Sequence, residues 1–336
     1  MKGIGECFAW AGSGRRERIV GYIQKFGEQL KGTNPLYIEK FLQPALENRP
    51  RHTLDWGAAI SAIEMALWDI LGQVANLPVH ALLGGKVRDK IPLYASHGVF
   101  SGKPFEFDRI LAMKEAGYGM FKWDPFSGRG NPGETVIRGQ VELVAKVREA
   151  VGDDYRLAID AHGRFNLEAA KIAARALESL NIVFFEEPVH FVQPEWFRPI
   201  ADSTSVPLAT GEMITHRKEV ATYLQTGELR FFQPELGTNG GILETVKVAA
   251  MCESFGVRIA THDWCGPVVS RAAMHVCAVI PNLLYQEWAN CDPEGRWEQE
   301  LLEPPTSPDR GHLVVDDRPG LGFQLNERLV NERRIG

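Results

Sequence analysis

The chain has 336 residues, of which 44% are hydrophobic and 24% are charged, with a formal net charge of −6 and a pI near 5.9. This composition is ordinary for a globular protein, and the length is sufficient for one α/β barrel and a smaller second domain. The negative charge argues against a nucleic-acid partner, because no basic excess is present to neutralise phosphates.

The sequence predicts neither a membrane span nor a disulfide framework. It contains no run of 18 apolar residues, and its first six residues have no apolar signal core. The number of cysteines is odd, without a close pair or the spacing of a zinc site. We therefore predict reduced thiols in a cytoplasmic protein. The cysteines are Cys7, Cys252, Cys265, Cys277 and Cys291.

The N-terminal part of the chain is predicted to be mainly helical. Apolar residues follow the helical period over 15–31 and again from Trp56 to Val74, and a shorter helix is expected to end near Leu46. Another short helix is predicted over Pro78–Leu83, with proline in its first turn and two glycines after it.

Eight short apolar segments follow, with helical stretches such as Leu167–Leu180 and Gly241–Phe255 between them. Strands that alternate with helices in this way must be parallel and joined by right-handed crossovers. The pattern predicts an α/β fold of the (β/α)8 barrel type. The predicted strands are Ile91–Ser96, Gly119–Asp124, Leu157–Asp160, Ile182–Glu186, Leu208–Glu212, Phe231–Glu235, Ile259–His262 and Leu283–Glu287.

Three carboxylates recur at intervals of 26 residues, at the ends of the third, fourth and fifth predicted strands: Asp160, Glu186 and Glu212. The carboxyl ends of parallel strands lie at one side of a sheet, and in a closed barrel they converge. Three carboxylate oxygens at that point can hold a hard divalent cation. The competing interpretation is three acids that cap helices or pair with arginine.

Two histidines lie where acid–base groups are needed. His162 follows Asp160 by two residues, on the same side of its strand end, and His262 ends the seventh strand, across the barrel. This arrangement suits a base on one face of a substrate and an acid on the other. The other histidines are interpreted as structural or surface residues, except that His97 follows the first strand and is a candidate to line the pocket and bind substrate.

Taken together, the motifs of the chain resemble those of the enolase superfamily, and in particular its mandelate racemase group. The resemblance covers nearly the whole chain and implies a catalytic barrel covered by an α+β capping domain that both termini build. The motifs are Ser61-Ala-Ile-Glu-Met-Ala-Leu-Trp-Asp69, Leu82-Leu-Gly-Gly85, Asp160-Ala-His162, Phe185-Glu-Glu-Pro188, Gly211-Glu212 and Gln233-Pro-Glu-Leu-Gly-Thr-Asn-Gly-Gly241, with His262 and Glu287 at later strand ends.

The resemblance predicts a division of the chain into three parts. Residues 1–88 form the N-terminal part of the cap, residues 89–304 the barrel, and residues 305–336 a tail that returns to the cap. Members of the family usually begin with two strands and a mobile loop before the Gly-x-Gly-Glu segment, which here is Gly3–Glu6. We therefore expect a cap that is truncated at its N-terminus.

The resemblance also implies a metal. By it, Asp160, Glu186 and Glu212 bind Mg²⁺, and Glu186 rather than Glu187 is the ligand of the Glu-Glu-Pro motif. Adjacent residues of a strand point to opposite faces, which agrees with a single ligand from this pair. A divalent cation stabilises the charge that develops when a proton next to a carboxylate is removed, forming an enediolate.

Dehydratases of sugar acids in this family carry the Asp-x-His arrangement. By that resemblance, His262 abstracts the α-proton and His162 protonates the departing β-hydroxyl. Glu235 replaces the aspartate that usually orients the first of these histidines, which leaves the geometry of the pair open. Glu287 resembles the electrophile, a protonated carboxyl whose pKa burial beside Trp288 is expected to raise; a salt-bridged structural glutamate is the alternative.

The second strand ends in Lys122-Trp-Asp124, where the racemase pattern is Lys-x-Lys, and this departure argues against a lysine base. Lys122 is predicted to bind and polarise the substrate carboxylate. Asp124 is predicted either to bind a substrate hydroxyl or to cap the next helix. Arg164 either binds a second group of the substrate or forms a surface ion pair.

The resemblance implies Mg²⁺-dependent dehydration of an acid sugar, an aldonate or aldarate, to a 2-keto-3-deoxy acid. It implies a small-molecule enzyme that is commonly a homo-oligomer, without nucleic-acid or membrane partners. The alternatives are a racemase, epimerase or cycloisomerase that uses the same enediolate, and a truncated homologue without catalytic activity. Which acid sugar is bound does not follow from the sequence.

Overall fold

The computed structural model describes residues 1–8, 14–47, 54–99, 104–126, 132–289 and 297–334. The helices in these residues are α1 (Arg15–Leu30), α2 (Ile38–Glu47), α3 (Leu54–Ala75), α4 (Val79–Leu82), α5 (Pro104–Glu115), α6 (Glu134–Val151), α7 (Leu167–Leu177), α8 (Phe197–Ala201), α9 (Arg217–Thr226), α10 (Ile242–Ser254), α11 (Pro267–Val279) and α12 (Glu327–Arg333). The strands are β1 (Lys90–Val99), β2 (Met120–Asp124), β3 (Arg156–Asp160), β4 (Ile182–Glu186), β5 (Leu208–Thr210), β6 (Leu229–Phe232), β7 (Arg258–Thr261), β8 (Leu283–Ala289), β9 (Leu302–Glu303), β10 (His312–Val314) and β11 (Gln324–Leu325).

Strands β1 to β8 form a closed barrel. Each pairs in parallel with the next along the chain, and β1 also pairs in parallel with β8, where Leu93 lies opposite Gln286 and Ala95 opposite Trp288. This closure confirms the predicted α/β barrel. An α-helix follows each of β1 to β7, whereas the described residues after β8 form the 3₁₀-helix Trp297–Leu301.

The alternation of side chains along the strands decides which residues face the centre of the barrel. A layer of buried side chains, which includes Tyr94, Met120, Ala158, Phe184 and Ala260, fills its lower part. A residue two positions further along each strand points in the same direction. The residues at those positions are Ser96, Lys122, Asp160, Glu186 and His262, so that the polar residues collect at the carboxyl end.

The predicted fifth strand is too long, because β5 ends at Thr210 and not at Glu212. The chain turns at Gly211, whose φ is +151°. A β-carbon there would lie 2.5 Å from the backbone nitrogen of Gln233, so that only glycine allows this close approach. The predicted sixth strand also extends too far, since β6 ends at Phe232.

The predicted N-terminal helices are confirmed, and α1, α2 and α3 pack together around Trp56. The rings of Phe26 and Tyr22 lie 4.8 Å and 4.9 Å from the Trp56 ring, in edge-to-face arrangements that favour aromatic pairs. By length and composition alone α3 could cross a membrane, but 61% of its apolar window is buried inside the protein. We interpret α3 as the core helix of the cap.

Both ends of the chain meet at Asp69 on α3. Its carboxylate accepts hydrogen bonds from the backbone N–H of Ile4, at 3.1 Å, and of Leu321, at 3.0 Å. These contacts agree with a cap to which both termini contribute; the residue limits of the three predicted parts stay a prediction. Among the described residues, four cysteines are free thiols, whereas Cys291 lies outside them.

Candidate active site

The three predicted metal ligands converge at the carboxyl end of the barrel. Asp160 and Glu186 are direct partners in the β3–β4 pairing, and Glu212 follows the turn after β5. All three are buried, and one carboxylate oxygen from each lies within 4.8 Å of the others. Opposite oxygens of an octahedral Mg²⁺ are about 4.2 Å apart, so that an ion between these side chains would draw the three oxygens slightly closer together. We call these residues the acid triad.

Electrostatics favour a cation at the acid triad. Burial, together with neighbouring carboxylates, raises the pKa of Asp160, and it raises that of Glu186 to about 8. Burial also acts to raise the pKa of Glu212, but the adjacent His262 outweighs it and lowers that pKa to about 2. Among the described residues, Glu186 Oε1 is buried without a hydrogen-bond partner. The donor set, its charge and this unpartnered oxygen all fit a hard divalent ion.

Lys122 lies beside the acid triad, and its predicted contact with the substrate carboxylate stays a prediction. Its Nζ lies 2.7 Å from Glu186 Oε2, 3.8 Å from Asp160 Oδ2 and 3.4 Å from Glu287 Oε1. Burial acts to lower the pKa of Lys122, but these carboxylates outweigh it and raise the pKa well above its usual value.

His262 and Glu235 form the pair that the sequence left open. Nδ1 of His262 lies 2.9 Å from Glu235 Oε2, and its Nε2 lies 2.9 Å from Glu212 Oε2. The longer side chain of glutamate therefore reaches the ring. The imidazole is 5% exposed. Burial acts to lower the pKa of His262, but Glu212 and Glu287 outweigh it and raise the pKa well above its usual value.

His162 forms a second pair of the same kind, with Asp124. Its Nδ1 lies 2.8 Å from Asp124 Oδ2 and its Nε2 lies 3.4 Å from Asp160 Oδ2. The ring is 37% exposed. The charge of Asp160 raises the pKa of His162 to about 10, against the effect of burial and with the help of the Asp124 hydrogen bond. A protonated imidazole is the form that can act as an acid.

Asp124 forms contacts that neither of its two predicted roles includes. Besides His162, it contacts the guanidinium of Arg164, and its Oδ1 accepts a hydrogen bond from the backbone N–H of Phe126 at 2.7 Å. Capping of the next helix is wrong, because α6 begins at Glu134 with Gly133 as its N-cap residue. The Arg164 ion pair exists, but it is mostly buried and not a surface pair.

Glu287 is in the site, but the expected rise of its pKa is wrong. Its Oε2 accepts a hydrogen bond from the backbone N–H of Asp263 at 2.8 Å, and Lys122 is close to its Oε1. Burial acts to raise the pKa, but Lys122 and His262 outweigh it and lower the pKa. Trp288, the next residue, belongs to the outer core because neighbouring strand residues point to opposite faces.

For His97, no contact with the acid triad or with the two histidine–carboxylate pairs is found among the described residues. The pairing of β1 with β2 is irregular between Ser96 and Val99, so that the alternation of side chains along β1 does not extend to His97. Nδ1 of His97 lies 3.3 Å from a guanidinium nitrogen of Arg109 on α5. Its role in substrate binding stays a prediction without a supporting contact.

Two features of the site were not recognised from the sequence: the pairing of Asp124 with His162, and the contact of Tyr94 with Lys122. The ring of Tyr94 lies beneath Lys122 Nζ, at 5.7 Å from its centre, and the hydroxyl donates to the backbone oxygen of Thr261 at 3.2 Å. The sequence did contain a signal for the partner of His162. An acid ends β2, the strand next to the one that carries the Asp-x-His motif. No pattern in the sequence indicated Tyr94.

Comparison with known proteins places this chain in a family. Residues 108–329 match the family described as "Enolase C-terminal domain-like", and residues 1–84 match the "Mandelate racemase / muconate lactonizing enzyme, N-terminal domain". A solved structure described as a member of the enolase superfamily, from Salmonella Typhimurium, superposes with a TM-score of 0.89 at 27% identity, over 98% of this chain and 91% of that one.

Two curated relatives carry the names of enzymes. A D-gluconate dehydratase of Thermoproteus tenax is 36% identical over 94% of this chain, which spans 64% of the length of that relative. A D-galactonate dehydratase of Cronobacter sakazakii is 33% identical over 96% of this chain and 86% of its own length. The chain therefore belongs to the mandelate racemase/muconate lactonizing enzyme family of the enolase superfamily.

Proposed function

We propose that this protein is a Mg²⁺-dependent sugar-acid dehydratase. It would remove the proton next to the carboxylate of an aldonate or aldarate and eliminate the β-hydroxyl, giving a 2-keto-3-deoxy acid. The proposal rests on one observation: two histidines, each paired with a carboxylate, lie on either side of the acid triad. The names of the two curated relatives support the same reaction class.

The acid triad and Lys122 prepare the substrate. Asp160, Glu186 and Glu212 would hold Mg²⁺, which when bound stabilises the negative charge that develops on the substrate carboxylate as the α-proton leaves. Lys122 is buried beside the triad, where its ammonium can donate hydrogen bonds to a carboxylate oxygen. Glu287 Oε1 lies 3.4 Å from the same ammonium, and its charge orients this lysine.

His262 is the base of this proposal. Nε2 of His262 faces Glu212, one of the residues that would hold Mg²⁺, whereas Nδ1 faces Glu235. With Glu212 engaged in that way, Glu235 would be the acceptor for the ring, so that the proton of the neutral imidazole would lie on Nδ1 and Nε2 would be free to take the α-proton. The buried pair excludes water from this transfer, and Glu235 stabilises the imidazolium that results.

His162 is the acid. Its ring has the exposure that a donor to a departing hydroxyl needs, since the water that forms must leave the site. Asp124 orients the ring through Nδ1, so that Nε2 points toward the triad. Strands β3 and β7 are four strands apart in a barrel of eight, which supports an acid and a base on opposite faces of a substrate bound between them.

A panel of sugar acids tests the proposal. The protein is incubated with Mg²⁺ or with a chelator, and products are analysed by mass and by their reaction with a carbonyl reagent. We expect a keto acid lighter by one water, formed only with Mg²⁺. An isomer without mass loss would instead establish the racemase, epimerase or cycloisomerase reaction. No product and no exchange of the α-proton for solvent deuterium would indicate a non-catalytic homologue.

Other properties stay predictions of the proposal. They are the cytoplasmic location, the homo-oligomeric state, and the contact of Asp124 and Arg164 with a substrate hydroxyl or second anionic group. Since Asp124 already binds His162 and Arg164, any such contact would add to an existing network.

A further inference from the structure

Two helices of the barrel begin without a cap of their own. The N-cap residues of α10 and α11 are Gly241 and Gly266, and in the described part of the chain neither makes a side-chain cap hydrogen bond. A carboxylate from the capping domain takes that place at α10. Glu64 on α3 accepts hydrogen bonds from the backbone N–H of Ile242, at 2.8 Å, and of Leu243, at 2.9 Å.

The same arrangement occurs at α11. Glu6, in the N-terminal segment, accepts hydrogen bonds from the backbone N–H of Val268 and Val269, both at 3.0 Å. A β-carbon at Gly241 would lie 2.1 Å from Glu64 Oε2, which caps α10. A β-carbon at Gly266 would lie 2.0 Å from Glu6 Oε1, the second oxygen of the carboxylate that caps α11. Glycine at these two positions therefore makes room for a carboxylate from another part of the chain, where serine or aspartate usually caps a helix itself.

Helices α10 and α11 follow β6 and β7, whose ends carry Glu235 and His262. The loop of residues 233–241, which we call the dyad loop, joins β6 to α10 and contains Glu235. One oxygen of Glu235 accepts from the backbone N–H of Gly237 at 2.7 Å, and the other lies 2.9 Å from Nδ1 of His262. The direction of the Glu235 carboxylate, and thus of the imidazole, depends on the backbone of this loop.

One face of α3 lies directly against the dyad loop. Ser61 Oγ accepts a hydrogen bond from the backbone N–H of Gly240 at 2.9 Å. A β-carbon at Gly57 would lie 2.0 Å from the backbone oxygen of Thr238. Gly57, Ser61 and Glu64 are separated by four and three residues, so they share one face of the helix.

We propose that Glu64 and Ser61, together with Glu6, are positioning residues that hold the His262–Glu235 pair in its working geometry from the capping domain. This inference rests on the proposed role of His262 as the base. A cap within α10 itself would stabilise the helix equally well, but it would leave the dyad loop independent of α3. The observed contacts make docking of the capping domain a condition for the orientation of the base.

The test variant is Glu64→Gln. The Glu64 carboxylate is buried, and its hydrogen-bond partners among the described residues are N–H donors, namely two backbone groups and Trp68 Nε1 at 2.7 Å. An amide there directs an NH₂ group at one of these donors and displaces the start of α10. The matched control is Asp69→Asn, on the same helix, which also removes a buried acceptor of backbone N–H groups but lies away from the dyad loop.

The first readout is kinetic, at equal folded fraction. For Glu64→Gln we expect kcat and α-proton exchange to fall on the order of 10- to 100-fold with KM changed by no more than about twofold, because misplacement of a reacting group acts on the chemical step. Asp69→Asn should lose stability to a similar extent but keep kcat within about threefold.

The second readout needs no substrate. The imidazole ¹⁵N resonances of His262 in the Mg²⁺-loaded protein are identified by their absence in His262→Asn. We expect Glu64→Gln, and not Asp69→Asn, to shift the Nδ1 resonance as the bond to Glu235 changes. If the wild-type protein converts no sugar acid, the proposed function fails while this measurement still decides whether α3 positions the pair.

Two results would overturn the inference: a kcat for Glu64→Gln equal to that of Asp69→Asn, or His262 resonances unchanged from the wild type. Should Glu64→Gln not fold, Ser61→Ala replaces it, since this variant removes only the acceptor of the Gly240 N–H. A smaller shift of the His262 resonance is then expected, and its absence would equally contradict the positioning role.

Discussion

The two histidine–carboxylate pairs have the same Nδ1 contact and very different surroundings. His162 is 37% exposed, and its partner Asp124 also binds Arg164. His262 is 5% exposed, and its partner Glu235 is held by the backbone of a loop that α3 contacts. The comparison shows how one kind of side-chain pair can serve two tasks. A buried, fixed pair suits abstraction of a carbon-bound proton, and an accessible pair suits release of water.

Replacement of each histidine gives the largest expected effects. His262→Asn should lower both dehydration and α-proton exchange by about 10²- to 10⁴-fold, since the base acts in both. His162→Asn should lower dehydration to a similar extent while exchange continues. Product formation and deuterium incorporation are measured in parallel. His312→Asn, on β10 outside the barrel, is the control. Retained exchange in His262→Asn would remove this residue as the base.

The acid triad lies beside both histidine–carboxylate pairs, so that loss of the metal should impair proton abstraction and dehydration alike. Mg²⁺ at 100 times its dissociation constant should stabilise the wild-type protein by about 2.7 kcal/mol, because it binds the folded state. Glu186→Gln should abolish both this stabilisation and turnover. Thermal unfolding with Mg²⁺ and with a chelator measures the effect. Equal stabilisation of the variant would show that the ion binds elsewhere.

Replacement of the carboxylate partner of each histidine distinguishes the functions of the two pairs in more detail. Glu235→Gln should lower exchange and dehydration alike, whereas Asp124→Asn should lower dehydration on the order of 10²-fold and leave exchange nearly unchanged. An amide in either place no longer stabilises an imidazolium. The ratio of exchange to product formation is the measurement. A parallel loss of exchange in Asp124→Asn would mean that the pairs are not independent.

Lys122 lies beside the acid triad. We expect it to favour binding of the substrate and to weaken binding of the metal. Lys122→Met should raise KM for the sugar acid, since a donor to the substrate carboxylate is lost. It should also tighten Mg²⁺ binding on the order of tenfold, because a cation 2.7 Å from Glu186 is removed. Calorimetric titration with Mg²⁺ and steady-state kinetics measure the two effects. Weaker metal binding would contradict this assignment of charge.

The smallest effect is expected at His97. Nδ1 of its ring lies 3.3 Å from a guanidinium nitrogen of Arg109, and no contact with the acid triad is found among the described residues. His97→Asn should therefore leave kcat/KM within about twofold, as for most substitutions away from a site. A large rise of KM would instead restore the predicted contact with substrate.

Much of the site could be predicted because strand ends are a matter of local sequence. Asp160, Glu186 and Glu212 recur at one interval, and the parallel connection of their strands brings them to the same side. The Glu287 pKa could not be predicted in the same way, since it depends on the distance to Lys122, which comes from a strand on the other side of β1.

Local patterns were enough to predict the barrel, the helices of the cap, and the acids and histidines at the strand ends, because apolar periodicity and residue spacing are local properties. The carboxylate partner of each histidine, and the capping of barrel helices by Glu64 and Glu6, became visible in the folded chain alone. A hydrogen bond requires two groups within about 3 Å in a suitable direction, and for residues far apart in the chain only the packing of domains establishes that distance.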